Sequence, residues 1–146
     1  MTVDKARIMA LDIGTKRTGV ALSDDTRLIA TPFTTVASEN RKKWAEDISS
    51  IARDEEIGTI LVGLPLNQHG EEGDDAKNIR KFIALLQERV QLPVVEWDER
   101  FSTIQAERTL LSADLSRKKR KEVIDKVVAA ILLQGYLDSL RFSSDS

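Results

Sequence analysis

The sequence contains no cysteine and a single histidine, His69. The lack of cysteine excludes disulfide bonds, thiolate zinc sites and thiol nucleophiles, and a lone histidine excludes any site that needs two imidazoles. His69 itself is expected to be an ordinary polar surface residue. The chemistry of this chain must therefore rest on carboxylates, hydroxyls, amines or a bound ion.

Long apolar segments are also missing. The longest apolar run, Val127 to Leu133, is far shorter than the ~20 residues that span a bilayer, and residues 1–7 carry charges where a signal peptide is apolar. We therefore expect a cytoplasmic protein with no membrane partner. The 146 residues, 41% hydrophobic and 32% charged, are typical of one compact domain, predicted over residues 1–142 with a loose polar tail at 143–146.

The net charge is only −2, but the charges are clustered along the chain. Basic clusters lie at Arg41–Lys43 and Arg117–Lys121, and acidic clusters lie at Asp54–Glu56 and Glu71–Asp75. Each basic cluster taken alone is typical of a solvated surface, although local positive charge also attracts nucleic acid.

The first part of the chain indicates three strands. The apolar run Arg7–Asp12, a glycine-containing turn and the run Thr18–Ser23 predict a β-hairpin. The density of Thr, Phe and Val predicts a third strand over Leu28–Val36, in which Pro32 must lie at an edge or a bulge.

A helix and a buried strand follow. Apolar residues at helical spacing predict a helix over Asn40–Glu56, with Ser38 as its cap and Gly58 as its end. The continuously apolar run Thr59–Leu64 indicates a strand covered by helices on both faces.

The same patterns continue to the end of the chain. Helical spacing predicts an amphipathic helix over Ala76–Val90, a fifth strand runs over Val94–Asp98, and further helices begin at Ser102 and span about Lys119–Leu140. Three antiparallel strands followed by β-α-β crossovers predict an α/β fold with a mixed five-stranded sheet flanked by helices. This is the ribonuclease H-like topology in outline.

Two acidic segments follow predicted strands. Asp12 ends the first strand and precedes a polar turn bounded by Gly14 and Gly19, which could equally be a hairpin turn with an incidental acid. The segment Glu96–Arg100 places three acids at the end of the fifth strand, where open α/β sheets present binding groups. The alternative is a charged strand-to-helix junction capped by Ser102.

Asp125 shares a helical stripe with apolar residues, so it is expected to face the sheet. A carboxylate on that face needs a partner. The alternatives are that it lies in the first turns of its helix, where negative charge is favoured by ~0.3–1 kcal/mol, or that it pairs with Lys121 or Lys126.

Together these acids suggest a metal site. The predicted sheet brings the first strand beside the strand that ends at Glu99, and the last helix crosses near both. Clustered carboxylates repel one another unless they hold a cation, and oxygen-only ligands suit Mg²⁺ or Mn²⁺. Such ions can activate water for phosphodiester hydrolysis, and Arg117–Lys121, just before the helix of Asp125, could bind flanking phosphates.

Four motifs in order make the chain resemble the YqgF (RuvX) family over nearly its whole length. They are Leu11–Ala21 (LDIGTKRTGVA), Val62–Asn67 (VGLPLN), Asp98–Thr103 (DERFST), and Asp125 followed by Ala129-Ala130. The resemblance implies a ribonuclease H-like fold shared with Holliday-junction resolvases, a cytoplasmic location, and a part in maturing the 5′ end of pre-16S ribosomal RNA.

The resemblance also implies functional residues. Asp12, Glu99 and Asp125 would be the catalytic, metal-binding carboxylates. Spacing alone does not decide between Asp98 and Glu99, and the match to the family's Asp-Glu-Arg motif favours Glu99. Nucleic-acid binding is assigned to a set of basic residues: Lys16, Arg17, Arg100, Arg117, Lys118, Lys119, Arg120 and Lys121.

Other functions remain open at this point. The Asp12 segment also resembles the first phosphate loop of actin-like and sugar-kinase ATPases, although those proteins need two such domains and a second loop. A non-catalytic RNA-binding ribosome-assembly factor would use the basic clusters alone. Branched DNA is the alternative substrate to RNA, and the chain could be a monomer or a homodimer, since junction resolution usually needs two coordinated sites.

Overall fold

The computed structural model describes residues 6–66, 69–99 and 117–144, and for residues 117–122 and 142–144 it describes the backbone alone. The described chain contains eight elements: β1 (Arg7–Ile13), β2 (Arg17–Ser23), β3 (Ala30–Ala37), α1 (Arg41–Asp54), β4 (Ile57–Leu64), α2 (Asp74–Arg89), β5 (Val94–Asp98) and α3 (Arg117–Ser144). The helix predicted to begin at Ser102 lies outside the described residues.

The strands form one mixed sheet in the order β3-β2-β1-β4-β5. The first three strands are antiparallel to one another, and β4 and β5 join them as parallel strands. Helices separate the parallel strands, as crossover connections require. The predicted α/β class and mixed five-stranded sheet are confirmed.

One expectation about strand neighbours was wrong. The sequence predicted that the first strand would lie beside the strand leading to Glu99, whereas β4 lies between β1 and β5. Strand periodicity reports which residues share a face of a sheet, and it carries no information about strand order.

The alternation of side chains along each strand builds two cores. Met9, Leu11 and Ile13 of β1 belong to the core shared with α1 and α2. Ile8 and Ala10 point the other way, into the core shared with α3. The sheet is therefore covered on both faces, which explains the continuously apolar β4.

The third strand begins two residues later than predicted. Leu28 and Ile29 belong to the preceding loop, because their backbone N–H groups donate to Asp24 Oδ1 at 2.9 and 3.0 Å. Pro32 lies in the edge strand next to a register shift, since Val20 pairs with Thr34 and Ala21 with Pro32. The expected edge or bulge position of this proline is confirmed.

The ends of α1 differ from the prediction. Asn40 is the N-cap and accepts a hydrogen bond from the Lys43 N–H at 3.1 Å, while the Ser38 hydroxyl lies 2.7 Å from that of Thr18. Gly58 does not end the helix, because it already belongs to β4 and the chain turns at Glu56 in the left-handed region, with φ of 53°. The Ser38 hydroxyl makes this buried contact with Thr18 and does not cap α1.

The last two helices begin about two residues earlier than the periodicity predicted. In α2, Asp74 and Asp75 form the first turn, where the positive end of the helix favours acids. In α3, the described helix runs from Arg117 to Ser144, so the backbone of residues 143–144, predicted as tail, belongs to it. Among the described residues no helix has the length and apolar character needed to cross a membrane.

Candidate active site

Asp12 lies on the sheet face that α3 covers. Side chains alternate along β1, so Asp12 shares its face with Ile8 and Ala10, which pack under α3. The residue is 7% exposed and is one of the few buried charged residues of the described chain. Asp12 therefore lies near the end of the first strand, as predicted, on the face of the sheet that α3 covers.

Gly19 of β2 brings α3 against this position. Gly19 is the cross-strand partner of Asp12. A Cβ atom at Gly19 would overlap the backbone carbonyl of Asp125 and lie 2.8 Å from the Lys126 nitrogen. The backbone of α3 therefore contacts the strand directly, which a side chain at position 19 would prevent, and the backbone of Asp125 lies against the strand partner of Asp12.

Gly63 of β4, on the other side of β1 from Gly19, leaves room for Glu99. Leu11 pairs with Val62, so the following residues, Asp12 and Gly63, occupy neighbouring positions in β1 and β4. A Cβ atom at Gly63 would lie 2.9 Å from Glu99 Oε1 and 3.3 Å from Glu99 Cγ. The Glu99 side chain therefore lies over Gly63, the neighbour of Asp12 in β4.

The same geometry supports the choice of Glu99 over Asp98. Asp98 pairs with Leu64, whose side chain belongs to the core under α1 and α2. Glu99 contacts Gly63, one residue earlier in β4 and therefore on the α3 face. The two adjacent acids thus belong to opposite sides of the sheet edge.

Asp125 has a partner that the sequence did not indicate. Arg17 Nε donates to Asp125 Oδ2 at 3.1 Å, and the two side chains are 31% and 23% exposed. The suggested pairing with Lys126 is not the contact observed for this carboxylate, and the side chain of Lys121, the other suggested partner, lies outside the described part. Because α3 begins at Arg117, Asp125 also lies beyond the first turn of the helix, where the helix dipole is strongest.

The loop after β4 is held to the edge of the sheet by Arg80. This arginine of α2 pairs with Glu72 of the loop and with Glu96 of β5, the latter at 2.7 Å. The hydrogen bonds that Arg80 donates to Glu72 and Glu96 raise the pKa of Arg80 above its usual range. Arg80 therefore links the loop residue Glu72 to the edge strand β5.

The donor chemistry fits a hard divalent cation. Asp12 lies opposite Gly19, which contacts the α3 backbone at Asp125, and beside Gly63, which contacts the Glu99 side chain. Carboxylate oxygens are the ligands preferred by Mg²⁺ and Mn²⁺. Over residues 6–66, 69–99 and 117–144, no three Asp, Glu or His side chains are already arranged as a metal cage. Asp125 is directed to Arg17 in this arrangement.

The other predicted residues fall into three groups. Lys16 is exposed, and its backbone carbonyl accepts from the Ser38 N–H at 2.9 Å. Arg100 lies outside the described residues. The basic run forms the first turns of α3, with its side chains outside the described part: Arg117, Lys118, Lys119, Arg120 and Lys121. His69 is exposed, as expected.

Sequence reasoning missed the part played by Gly19 and Gly63. Both lie inside strands, where glycine is otherwise unfavourable and often marks a close approach of another backbone or ligand. That signal was available in the sequence. The contact between Arg17 and Asp125 carried no such signal, because the two residues are 108 positions apart.

Comparison with known proteins agrees with this architecture. The family described as "RuvX: Holliday junction resolvase" matches residues 6–139. A protein of Thermoanaerobacter pseudethanolicus named "Putative pre-16S rRNA nuclease" is 46% identical over 134 residues, covering 91% of this chain and 96% of its own. A protein of the same name from Endomicrobium trichonymphae is 48% identical over 133 residues, covering 90% and 95%.

Solved structures show the same fold at low identity. RuvC of T. thermophilus, solved in complex with a Holliday junction substrate, superposes with a TM-score of 0.59 at 12% identity and covers 93% of this chain and 96% of its own. The fowlpox virus Holliday junction resolvase gives a TM-score of 0.53 at 14% identity, covering 91% and 99%. The ribonuclease H-like fold predicted from the sequence is therefore confirmed.

Proposed function

Because the chain belongs to the RuvX family, we propose that it is a divalent-metal-dependent nuclease that matures the 5′ end of pre-16S ribosomal RNA in the cytoplasm. The observation that supports this proposal is that Gly19 and Gly63, the neighbours of Asp12 in the sheet, contact the backbone of Asp125 and the side chain of Glu99. Relatives at 46–48% identity named as pre-16S rRNA nucleases support the choice of substrate.

The three carboxylates have distinct structural supports. Asp12 is held by the central strand, Glu99 by contact with Gly63, and Asp125 by the third helix. These residues would hold Mg²⁺ or Mn²⁺, which supplies an activated water and charge neutralisation at the scissile phosphate. The protein needs no nucleophilic side chain, in keeping with its lack of cysteine.

Binding of the nucleic acid is assigned to basic residues around the site. Lys16 and Arg17 belong to the β1–β2 turn and the start of β2, beside Asp125. Arg117–Lys121 precede Asp125 in the same helix, so they would meet phosphates on one side of the cleaved bond. Arg100, one residue after Glu99, is proposed to contact phosphate as well.

A four-way DNA junction is the second candidate substrate. The description of the matching family as Holliday junction resolvase favours it specifically. Metal-cluster chemistry hydrolyses either backbone, whereas resolution of a junction requires two sites acting together and hence a homodimer. Substrate preference and oligomeric state therefore belong to the same experiment.

Cleavage by purified carboxylate variants tests the proposal. We expect Asp12→Asn, Glu99→Gln and Asp125→Asn each to lower kcat by about 10²- to 10³-fold, the range for losing one electrostatic group at the transition state, while RNA binding remains. Asp98→Asn is the matched control, because it removes an adjacent charge that belongs to the opposite side of the sheet edge. It should retain cleavage.

The assay compares precursor rRNA with a synthetic four-way junction, each with Mg²⁺ and with chelator. Full cleavage by a variant lacking all three carboxylates would reject the proposed site. Loss of activity in Asp98→Asn but not in Glu99→Gln would exchange the assignments of these two residues. RNA binding without metal-dependent cleavage of either substrate would point to a non-catalytic assembly factor.

A further inference from the structure

The ion pair between Arg17 and Asp125 joins two residues to which the proposed function gives different tasks. Asp125 is a proposed metal ligand, and Arg17 is a proposed phosphate-binding residue. Arg17 Nε lies 3.1 Å from Asp125 Oδ2, and both side chains are more than two-thirds covered, at 31% and 23% exposure. The guanidinium of Arg17 and the carboxylate of Asp125 are therefore paired with each other.

The position of this pair follows from the fold. Arg17 is the first residue of β2, two positions before Gly19, so both residues are on the α3 face. Direct contact between Gly19 and the α3 backbone holds Asp125 against the same strand. Neither backbone needs to move to make or break the pair, because only the two side chains span the gap.

A guanidinium and a divalent cation are competitors for one carboxylate. Both neutralise the charge, and the oxygen that accepts from Arg17 offers one of the lone pairs that a metal ion would use. Binding of a cation through Asp125 must include the free energy of separating the pair, so the apparent affinity is lower than the intrinsic affinity of the carboxylates.

We propose that Arg17 acts as a positioning residue that occupies Asp125 in the metal-free protein and, once the carboxylate turns to a divalent cation, is released to bind a substrate phosphate. This inference rests on the proposed nuclease function. A planar guanidinium suits both partners, since it binds carboxylates and phosphates with the same donor geometry.

Thermodynamic reciprocity gives the proposal a measurable consequence. If a cation on Asp125 frees Arg17 for phosphate, then metal binding must strengthen nucleic-acid binding, and nucleic acid must strengthen metal binding by the same factor. The cation itself also attracts phosphate, so the contribution of Arg17 is the part of this coupling that is lost when the arginine is replaced. An arginine that only supported the fold would leave the coupling unchanged on replacement.

Mn²⁺ binding to the intact protein, followed by electron paramagnetic resonance of the free ion, tests the competition without any catalytic readout. We expect Arg17→Met to bind Mn²⁺ about threefold to tenfold more tightly than the wild type, the size expected for removing a partly exposed ion pair. Arg17→Gln keeps a hydrogen-bond donor without the charge and should shift the affinity in the same direction. Arg17→Lys keeps the charge and should stay near the wild type.

Arg7→Met is the matched control. Arg7 also begins a strand, and its pair with Glu55 has the same length of 3.1 Å and similar exposure, at 34% and 31%. Because Glu55 directly follows α1 and is not among the proposed ligands, Mn²⁺ affinity should not change. Thermal melting of every variant establishes that each one is folded.

A second measurement follows the coupling. Binding of a short labelled RNA is titrated with and without Ca²⁺, with its intact length checked on a gel. In the wild type and in Arg7→Met, Ca²⁺ should tighten RNA binding by the same factor, and in Arg17→Met this factor should be clearly smaller. An equal factor in all three proteins would overturn the release of Arg17.

The outcomes separate the two proposals. If Mn²⁺ binding depends on Asp12 but Arg17→Met and Arg17→Gln bind the ion no more tightly than the wild type, the competition by Arg17 is overturned and the nuclease site stands. If Asp12→Asn binds Mn²⁺ as tightly as the wild type does, the metal site is misplaced, and both proposals fail.

Discussion

Asp24 organises the loop between β2 and β3 through its own side chain. One carboxylate oxygen accepts from the backbone N–H groups of Leu28 and Ile29, and the other accepts from the Thr26 hydroxyl. These hydrogen bonds, of which that from Ile29 has the largest effect, lower the pKa of Asp24 from 3.8 to about 2. The charged form is therefore favoured in the folded protein.

This shift predicts an acid-sensitive contribution to stability. A pKa that is lower in the folded state stabilises the protein above pH 4, and the contribution is lost as the pH falls from about 4 to about 2. Asp24→Asn should lower the free energy of unfolding at neutral pH by less than about 1 kcal/mol, because the carboxylate is solvent-screened. The difference from the wild type should vanish near pH 2.

Urea unfolding at neutral pH and at pH 2.5 provides the measurement. Asp25→Asn is the control, since this neighbouring carboxylate is exposed and changes the net charge by the same amount. A difference between Asp24→Asn and wild type that persists undiminished at the lower pH would mean that the loop is held by something other than this carboxylate.

Among the strands and helices, the contact between β2 and α3 leaves no room for a side chain. Gly19→Ala should displace α3, because the added Cβ meets backbone atoms of Asp125 and Lys126, which do not rotate away. We expect a loss of about 1–3 kcal/mol or more in unfolding free energy, the usual cost of overpacking, together with loss of cleavage. Chemical denaturation and the cleavage assay measure the two effects.

Gly63→Ala is the informative companion to that variant. The added Cβ meets the ends of flexible side chains, Glu99 Oε1 at 2.9 Å and Leu132 Cδ2 at 3.0 Å, which can shift. We expect a smaller loss of stability than for Gly19→Ala but a clear loss of activity, because Glu99 would leave its position. Equal stability losses in both variants, or full activity in Gly63→Ala, would contradict this account of Glu99.

For the molecule as a whole, a divalent cation that binds only the folded protein should raise its stability. At one hundred times its dissociation constant, Mg²⁺ should add ~2.7 kcal/mol to the free energy of unfolding, and Asp12→Asn should remove most of the gain. Urea unfolding with Mg²⁺ and with NaCl at matched ionic strength separates specific binding from charge screening. The same gain from both salts would argue against a metal site.

Individual elements were predictable wherever local chemistry decides them. β5 was predicted with its observed bounds, Val94–Asp98, and the β1–β2 hairpin was expected from two apolar runs around a turn. Predicted element boundaries were wrong where a residue distant in the sequence makes the deciding contact. Ser38 was expected to cap α1, but it lies against Thr18, which also accepts a hydrogen bond from the Trp44 indole at 2.9 Å.

The amino-acid sequence by itself determined the class of the fold and the face of the last helix that carries Asp125, because periodicity and residue chemistry act over a few positions. The choice of Asp12, Glu99 and Asp125 as metal ligands rests on the family resemblance and stays a proposal. Only the tertiary structure decided that β4 separates β1 from β5, that Gly19 and Gly63 admit a helix backbone and the Glu99 side chain, and that Arg17 pairs with Asp125. Such contacts depend on how distant segments pack, and no local pattern records the distance between them.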